Sequence, residues 1–320
     1  MLYCVYLLRI LGAILITNCH YEEIYPVSVF ANGGLLGDVL FFAVSGFCLY
    51  PIRKSFLQWY GRRLKRIYPL VWIITAVYLL LGFYQAGSFL GFVKLLLYPT
   101  YYHFVASILL LYLMYYVIAK LLQRHEQDWS RWFGMILAAL AAVYAAFYLT
   151  VYDRSYYHID VVREPMIEFL YFFAMMSGMY FRRYQDRYVG RTSVWSWIFA
   201  AVLFVAYFAS KLAFARGVMS SIFQPMNQVL LLLLLLCLFR GMIGLEDKLA
   251  KAPEKLRSCL KFLASFAFEI YLVQYALIPR LNVGPFPVNF LLVSGGIFVS
   301  ALVLHIVHEK MVAGIEKLKT

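Results

Sequence analysis

Long apolar runs alternate with short polar connections along the whole chain. Each run holds roughly 20 residues, the length that a helix needs to cross the hydrocarbon core of a bilayer. Residues 86–103 interrupt this pattern with Gly, Lys and Pro, and we expect an interfacial or re-entrant segment there. The pattern predicts an all-α, polytopic membrane helical bundle of about ten transmembrane helices. The predicted spans cover residues 2–19, 34–52, 67–85, 104–122, 132–150, 165–181, 192–211, 222–240, 263–281 and 288–308.

The composition agrees with a membrane location. The 320 residues are 64% hydrophobic and 14% charged, with a mean hydropathy of +0.75, whereas soluble domains average about 45–50% apolar and about 25% charged residues. The apolar start lacks a basic region and a small-residue cleavage site, so it predicts a first span and not a removable signal peptide. We expect a single transmembrane domain over residues 1–320, with no appended soluble domain.

The basic residues are unevenly distributed between alternate connections. The net charge is +13, and one set of alternate connections carries 22 Lys and Arg residues while the other carries 6. The positive-inside rule assigns the richer set to the cytoplasm and predicts that both termini are cytoplasmic. Binding of nucleic acid by one basic face is the weaker interpretation, so we expect no nucleic-acid partner. The five cysteines include no CxxC pair, which argues against a zinc site and a disulfide framework.

Four polar residues stand out in the first two spans, where an ionisable group costs about 2.5–3.5 kcal/mol on insertion scales. Arg9 and His20 are eleven residues apart, which places them on one helical face with an axial separation of about 16 Å. Asp38 and Ser45 are seven apart and also share a face. The alternatives are that Arg9 extends to the headgroups, that His20 and Asp38 lie at the water interface, and that Ser45 bonds a backbone carbonyl.

The connection before the third span is strongly basic. Its sequence is QWYGRRLKRIYPL at residues 58–70. Arg62, Arg63 and Arg66 share one side of a helix that enters the membrane, and guanidinium groups bind phosphate through paired hydrogen bonds. A phosphate-bearing cytoplasmic ligand fits this cluster. Plain anchoring by the positive-inside rule is the alternative.

These features combine into a recognisable order. Arg9 and His20 on the first span are followed by GDVLFFAVSGF at 37–47 and by RRLKRIYP at 62–69. The chain thereby resembles acyltransferase family 3, the integral membrane O-acyltransferases of the bacterial O-antigen acetylase type. That family has an arginine and a histidine on the first span, an FF-x-x-SGF second span and an R-x-x-R-I-x-P start to the third.

A weaker match lies in the ninth predicted span. FEIYLVQ at 268–274 is similar to the family's SFEIYLVH. Gln274 stands where many members have histidine, and Ala267 where many have serine, so we expect Gln274 to act by hydrogen bonding and not by titration. The middle of the chain resembles the family mainly in hydropathy.

The resemblance implies transfer of an acyl group, most often acetyl, from cytoplasmic acyl-CoA to a hydroxyl of an extracytoplasmic glycan. It implies no bound cofactor, acyl-CoA as co-substrate, lipid and a sugar or polysaccharide acceptor as partners, and a multi-pass location in the bacterial plasma (inner) membrane. The oligomeric state stays open.

The same resemblance suggests roles for individual residues. Arg62, Arg63 and Arg66 would hold the CoA phosphates, and Arg9 would guide the thioester. His20 would be the general base or an acyl carrier, because histidine titrates near neutral pH. Asp38, Ser45, Glu22 beside His20, and Gln274 complete the candidate substrate-binding set. Outer-loop aromatics, namely Tyr101, Tyr102, Tyr156 and Tyr157, are candidates for stacking on sugar rings.

Two other functions remain open at this point. A transporter or flippase for a glycan precursor would also have intramembrane charges along a permeation path. A non-catalytic family member in a glycan-synthesis complex would account for Gln274 and Ala267. Release of free CoA from acetyl-CoA in the presence of glycan separates an enzyme from both alternatives.

Overall fold

A computed structural model describes residues 2–97, 103–155 and 162–317. The tyrosines suggested for sugar stacking, namely Tyr101, Tyr102, Tyr156 and Tyr157, lie outside these residues. The described part of the chain is largely α-helical, and it contains no β-strand. The predicted all-α class is therefore confirmed.

The described residues form thirteen α-helices. Their bounds are α1 Tyr3–Cys19, α2 Gly34–Leu49, α3 Phe56–Leu80, α4 Phe89–Leu97, α5 His103–Arg124, α6 Trp129–Thr150, α7 Met166–Arg183, α8 Val194–Ala215, α9 Gln224–Gly244, α10 Glu246–Ala250, α11 Glu254–Ser265, α12 Ala267–Leu281 and α13 Val288–Lys317.

Each of the ten predicted spans overlaps at least one of these helices, but fewer are clear membrane spans. Within the described residues, 6 helices are long and apolar enough to cross a bilayer, or up to 7 if the bent pair of α11 and α12 forms one span. That pair bends by 51° at its junction. α1 has 17 residues and α3 carries a basic first half. The chain is a multi-pass membrane protein, while the count of ten and the orientation of the termini stay predictions.

The helices fall into two compact units. The first unit contains Met1–Gly12, Leu35–Arg53 and Leu111–Lys261. In it, α2 crosses α7 closely at two glycines: a Cβ at Gly46 would overlap the Met175 carbonyl, and one at Gly178 would overlap the Ala43 carbonyl. Small residues permit such backbone approach between membrane helices. Gly46 and Gly178 thus allow the close contact between α2 and α7.

In the same unit, a buried carboxylate accepts hydrogen bonds from the backbone N–H groups at the start of α1. Glu246, at the start of α10, accepts hydrogen bonds from the backbone N–H groups of Tyr3 and Cys4, both at 2.8 Å. The first N–H groups of a helix have no partner within it, and their dipoles favour a negative charge. Glu246 therefore caps α1.

The second unit contains Ala13–Gly34, Lys54–Leu110 and Phe262–Thr320. Its centre is α12, which packs against α3 and α13. The Tyr78 hydroxyl on α3 donates to the Val273 carbonyl on α12 at 2.8 Å, and both residues are buried. This contact fixes the end of α3 against the middle of α12. The chain segments at the ends of these helices form the candidate site.

Candidate functional site

A cavity opens in the second unit where α1, α3 and α12 end. Its volume is about 410 Å³, within the range of pockets that hold small ligands. Three chain segments form its wall: the residue after α1, the turn after α3 and the last part of α12. The lining residues are His20, Phe83, Tyr84, Tyr275, Ala276, Ile278, Pro279 and Arg280.

A glycine turn brings two aromatic residues to this wall. Gly82 follows α3 with a φ of +70°, a conformation that glycine adopts without strain. The N–H groups of Phe83 and Tyr84 then both donate to the Tyr78 carbonyl, at 2.7 and 3.1 Å. The turn closes the last turn of α3 and directs Phe83 and Tyr84 into the cavity wall.

His20 comes directly after the last residue of α1, and hydrogen bonds to α13 hold the segment that follows it. Asn289 on α13 donates to the Ile24 carbonyl at 3.1 Å, and the Tyr21 hydroxyl bonds Ser294 at 3.0 Å. Burial raises the pKa of Tyr21, so its phenol stays neutral at physiological pH. Because α1 ends before His20, the helical-face prediction applies to Arg9 and not to His20.

Arg280, near the end of α12, is exposed and contacts two groups of the cavity wall. Its Nη1 donates to the Ala276 carbonyl at 2.7 Å, and its guanidinium carbon lies 3.8 Å from the centroid of the Phe83 ring. A guanidinium stacked on an aromatic face is held both by cation–π attraction and by planar contact. In the sequence, Arg280 is one of the six basic residues of the poorer set of connections, and no motif marks it as a site residue.

Gln274 lies halfway along α12 and is 1% exposed. Its Oε1 accepts a hydrogen bond from the Thr17 hydroxyl on α1 at 2.7 Å. The side chain thus serves as a buried hydrogen-bonding group, in line with the expectation for glutamine at this position. Its predicted contact with substrate stays a prediction.

A second polar cluster lies at the start of α12. The His305 Nδ1 on α13 is 2.7 Å from the Glu269 Oε1, and the His305 Nε2 is 3.4 Å from the Ser265 hydroxyl. Glu269 is 3% exposed, so its charge needs this partner. His308 lies one turn further along α13. In the sequence, Glu269 stands out only within the FEIYLVQ motif, and neither His305 nor His308 belongs to a motif.

The basic residues of α3 adjoin this cluster. Arg66 is close enough to His308 to interact with it electrostatically. Arg62 and Arg66 are exposed, while Arg63 is half-buried, with its guanidinium carbon 5.5 Å from the centroid of the Trp59 ring. These arginines therefore occupy the first half of a continuous helix, as their spacing predicted; it begins at Phe56 and continues into the apolar span predicted from residue 67.

Three other predicted site residues belong to the first unit, and one belongs to the second unit. Asp38 accepts a hydrogen bond from the Tyr171 hydroxyl at 2.8 Å, and Ser45 bonds the Tyr112 hydroxyl at 3.0 Å. Arg9 is half-buried on α1. Glu22, in the second unit, is exposed. Of the predicted site residues, His20 is the one among the described lining of the cavity, and the roles of the rest stay predictions.

Comparison with known proteins identifies the family. The sequence model of acyltransferase family 3, described as an acyltransferase domain, matches residues 2–307. No curated protein and no solved structure matches the chain. The match covers nearly the whole chain and includes every described lining residue of the cavity, together with Ser265, Glu269 and His305. This chain therefore belongs to acyltransferase family 3, whose members are membrane acyltransferases.

Proposed function

We propose that this protein is an O-acyltransferase that moves an acyl group, most often acetyl, from cytoplasmic acyl-CoA to a hydroxyl of an extracytoplasmic glycan. The observation that carries the proposal is the cavity of about 410 Å³ with His20 in its wall. An imidazole in a cavity is suited to remove a proton from an alcohol near neutral pH. The aromatic rings of Tyr84 and Tyr275 supply flat surfaces for a sugar.

In the second unit, α12 carries polar groups from its start to its end. A reaction between a cytoplasmic donor and an outer acceptor needs such a polar path through the membrane. Glu269 lies near the start of the helix, Gln274 near its middle and Arg280 near its end. At 1.5 Å per residue, Glu269 and Arg280 are about 16 Å apart along the axis. By the positive-inside assignment, the Glu269 end faces the cytoplasm and the Arg280 end faces outward.

The basic half of α3 is the proposed donor site. Arg62, Arg63 and Arg66 project from one helix, and Arg66 adjoins the Glu269 end of α12 through His308. Guanidinium groups on successive turns can hold the several phosphates of CoA. The flexible pantetheine arm would then carry the thioester into the bundle, where Arg9 is proposed to guide it.

The proposed reaction transfers the acyl group from the CoA thioester to a hydroxyl of the acceptor. A ring nitrogen of His20 accepts the proton of the acceptor hydroxyl while the oxygen attacks the thioester carbonyl carbon. The new C–O ester bond forms, the C–S bond breaks, and the CoA sulfur leaves and is protonated to a thiol. Glu22, two residues from His20, is proposed to influence its charge. Asp38, Ser45 and Gln274 remain candidates for contacts with substrate.

Two measurements test this function. Mass spectrometry of surface glycans from cells with and without the gene should show acyl esters that depend on the gene. The purified protein, in liposomes with acetyl-CoA and those glycans, should release one free CoA thiol for each ester formed. Glycan movement without thiol release would identify a transporter instead, and the absence of both would identify a non-catalytic member.

A further inference from the structure

The charge of the cavity wall says more about the acceptor than the family does. Among the described residues that line the cavity, none is acidic, and Arg280 contributes a permanent positive charge to the lining that also includes His20. Sites for neutral sugars usually offer carboxylates and amides that accept bonds from hydroxyl groups. This wall offers an arginine, a histidine and aromatic rings instead.

Two contacts orient the guanidinium of Arg280, but they occupy only some of its hydrogen-bond donors. Phe83 covers one of its faces, and Nη1 donates to the Ala276 carbonyl. Within the described part of the chain, its Nε and Nη2 groups make no hydrogen bond or ion pair. An arginine has five N–H donors in a rigid plane, so most of them remain available. Because the stacking fixes the plane beforehand, little side-chain entropy is lost when an anion binds.

Lipid anchoring explains this arginine less well. In the orientation that the basic loops predict, Arg280 lies on the outer side, where Lys and Arg are scarce in this chain. An anchoring arginine extends freely towards headgroups, whereas this guanidinium folds back onto the Ala276 carbonyl and the Phe83 ring. It is directed along a cavity wall that His20 shares.

We propose that Arg280 is the anion-binding residue of the acceptor site, and that the acceptor is an acidic glycan with a carboxylate or phosphate on or next to the sugar that is acylated. That the bound glycan is acylated rests on the proposed function, whereas anion binding by Arg280 does not. Arg280 would bind the anion, Tyr84 and Tyr275 would contact the sugar ring, and the neighbouring hydroxyl would face His20.

The first test measures binding alone, so that it does not depend on catalysis. The probes are methyl glucoside, methyl glucuronide and methyl glucoside 6-phosphate, titrated against the full-length protein in nanodiscs. We expect at least one anionic probe to bind about tenfold or more tightly than the neutral one, since a charge-assisted hydrogen-bond pair accounts for such a factor. Arg280→Gln should abolish this preference, and Arg280→Lys should keep part of it.

The controls separate the acceptor site from a lipid site and from general charge. Arg216→Gln removes an exposed arginine at the end of α8 in the first unit and should leave the preference unchanged. Nanodiscs of phosphatidylcholine, with and without phosphatidylglycerol, show whether anionic headgroups compete for the site. Binding that is equal for all three sugars, unchanged in Arg280→Gln, or sensitive only to phosphatidylglycerol would overturn the proposal.

Acyl transfer to the same probes then separates the two claims. Binding through Arg280 without any CoA release would refute the proposed reaction but keep the anion site. Efficient transfer to methyl glucoside, with Arg280→Gln as active as the wild type on all three probes, would keep the reaction and refute the anion site.

Discussion

Polar residues in apolar helices are used differently in the two units. In the first unit they are packed against protein partners: Asp38 with Tyr171, Glu246 with the start of α1, and Lys211 with the Tyr207 ring, whose centroid is 5.0 Å from Nζ. The second unit pairs Glu269 and Gln274 in the same way, with His305 and Thr17, but its His20 and Arg280 line an open cavity. A polar residue in lipid is costly in both cases.

The free-energy cost of a polar residue in lipid therefore does not by itself identify an active site. A buried charge must be neutralised or hydrogen-bonded to be tolerated, and the protein itself supplies such partners in both units. A group in the wall of the second unit's cavity additionally has room for a ligand. We therefore expect variants of cavity residues to lose activity, and variants of packed residues to lose stability.

The largest expected effect is that of His20→Ala. Without the imidazole, acyl transfer should fall by about 10²–10⁴-fold, the usual contribution of a general base, while the melting temperature stays unchanged. Turnover and thermal unfolding would be measured on the purified variant. The matched control is His125→Ala, which removes a half-buried histidine stacked on Trp132, away from the cavity lining, and should stay fully active. An active His20→Ala protein would remove the cavity from the mechanism.

The next largest effect concerns the donor site. Arg63→Ala and Arg66→Ala should each raise the KM for acetyl-CoA by about tenfold with little change in kcat, because each removes a charge-assisted bond to phosphate made equally in the ground and transition states. Steady-state kinetics with varied acetyl-CoA measure this. Arg131→Ala, an exposed arginine on α6, is the control. Unchanged donor kinetics would leave the α3 arginines as topology anchors.

A loss of stability without a change in kinetics is expected for Glu246→Gln. The amide can accept only one of the two backbone hydrogen bonds at the start of α1, and its NH₂ group faces the other N–H. We expect the free energy of unfolding to fall by about 1–3 kcal/mol, with the KM values unchanged. Denaturation in a detergent series measures it. The control Glu254→Gln alters an exposed glutamate on α11 and should change nothing.

The smallest effect is expected for Asp38→Asn. An asparagine oxygen can still accept the bond from the Tyr171 hydroxyl, so acyl transfer should stay within about threefold of the wild-type rate if packing is the main role. Asp38→Ala removes the acceptor and should lower the melting temperature. If Asp38→Asn loses transfer at full stability, Asp38 contacts substrate, as the sequence pattern suggested.

The sequence predicted helix positions better than contacts. Hydropathy located α2 within a few residues. For α3 it marked only the apolar part from residue 67, because arginine and lysine favour helices and yet are not apolar. The spacing of Arg62, Arg63 and Arg66 predicted the helix that enters this span, and α3 confirms it.

The site was predictable only where a local motif marks it. His20 follows from its position at the end of the first predicted span. The pairing of Glu269 with His305 joins residues 36 positions apart, and that of Asp38 with Tyr171 joins residues 133 apart. No pattern in one sequence reports such distances. Arg280 became a site residue only through the turn at Gly82 that places Phe83 beneath it.

Photo-crosslinking tests most directly whether the acceptor binds in the His20 cavity. Methyl glucuronide bearing a diazirine would be irradiated with the protein in nanodiscs, and the modified residues mapped by mass spectrometry. The structure predicts labels at His20, at Phe83 or Tyr84, and within residues 275–280, all suppressed by excess unlabelled methyl glucuronide. Labels confined to other segments, or labels that the unlabelled sugar does not suppress, would contradict the assignment.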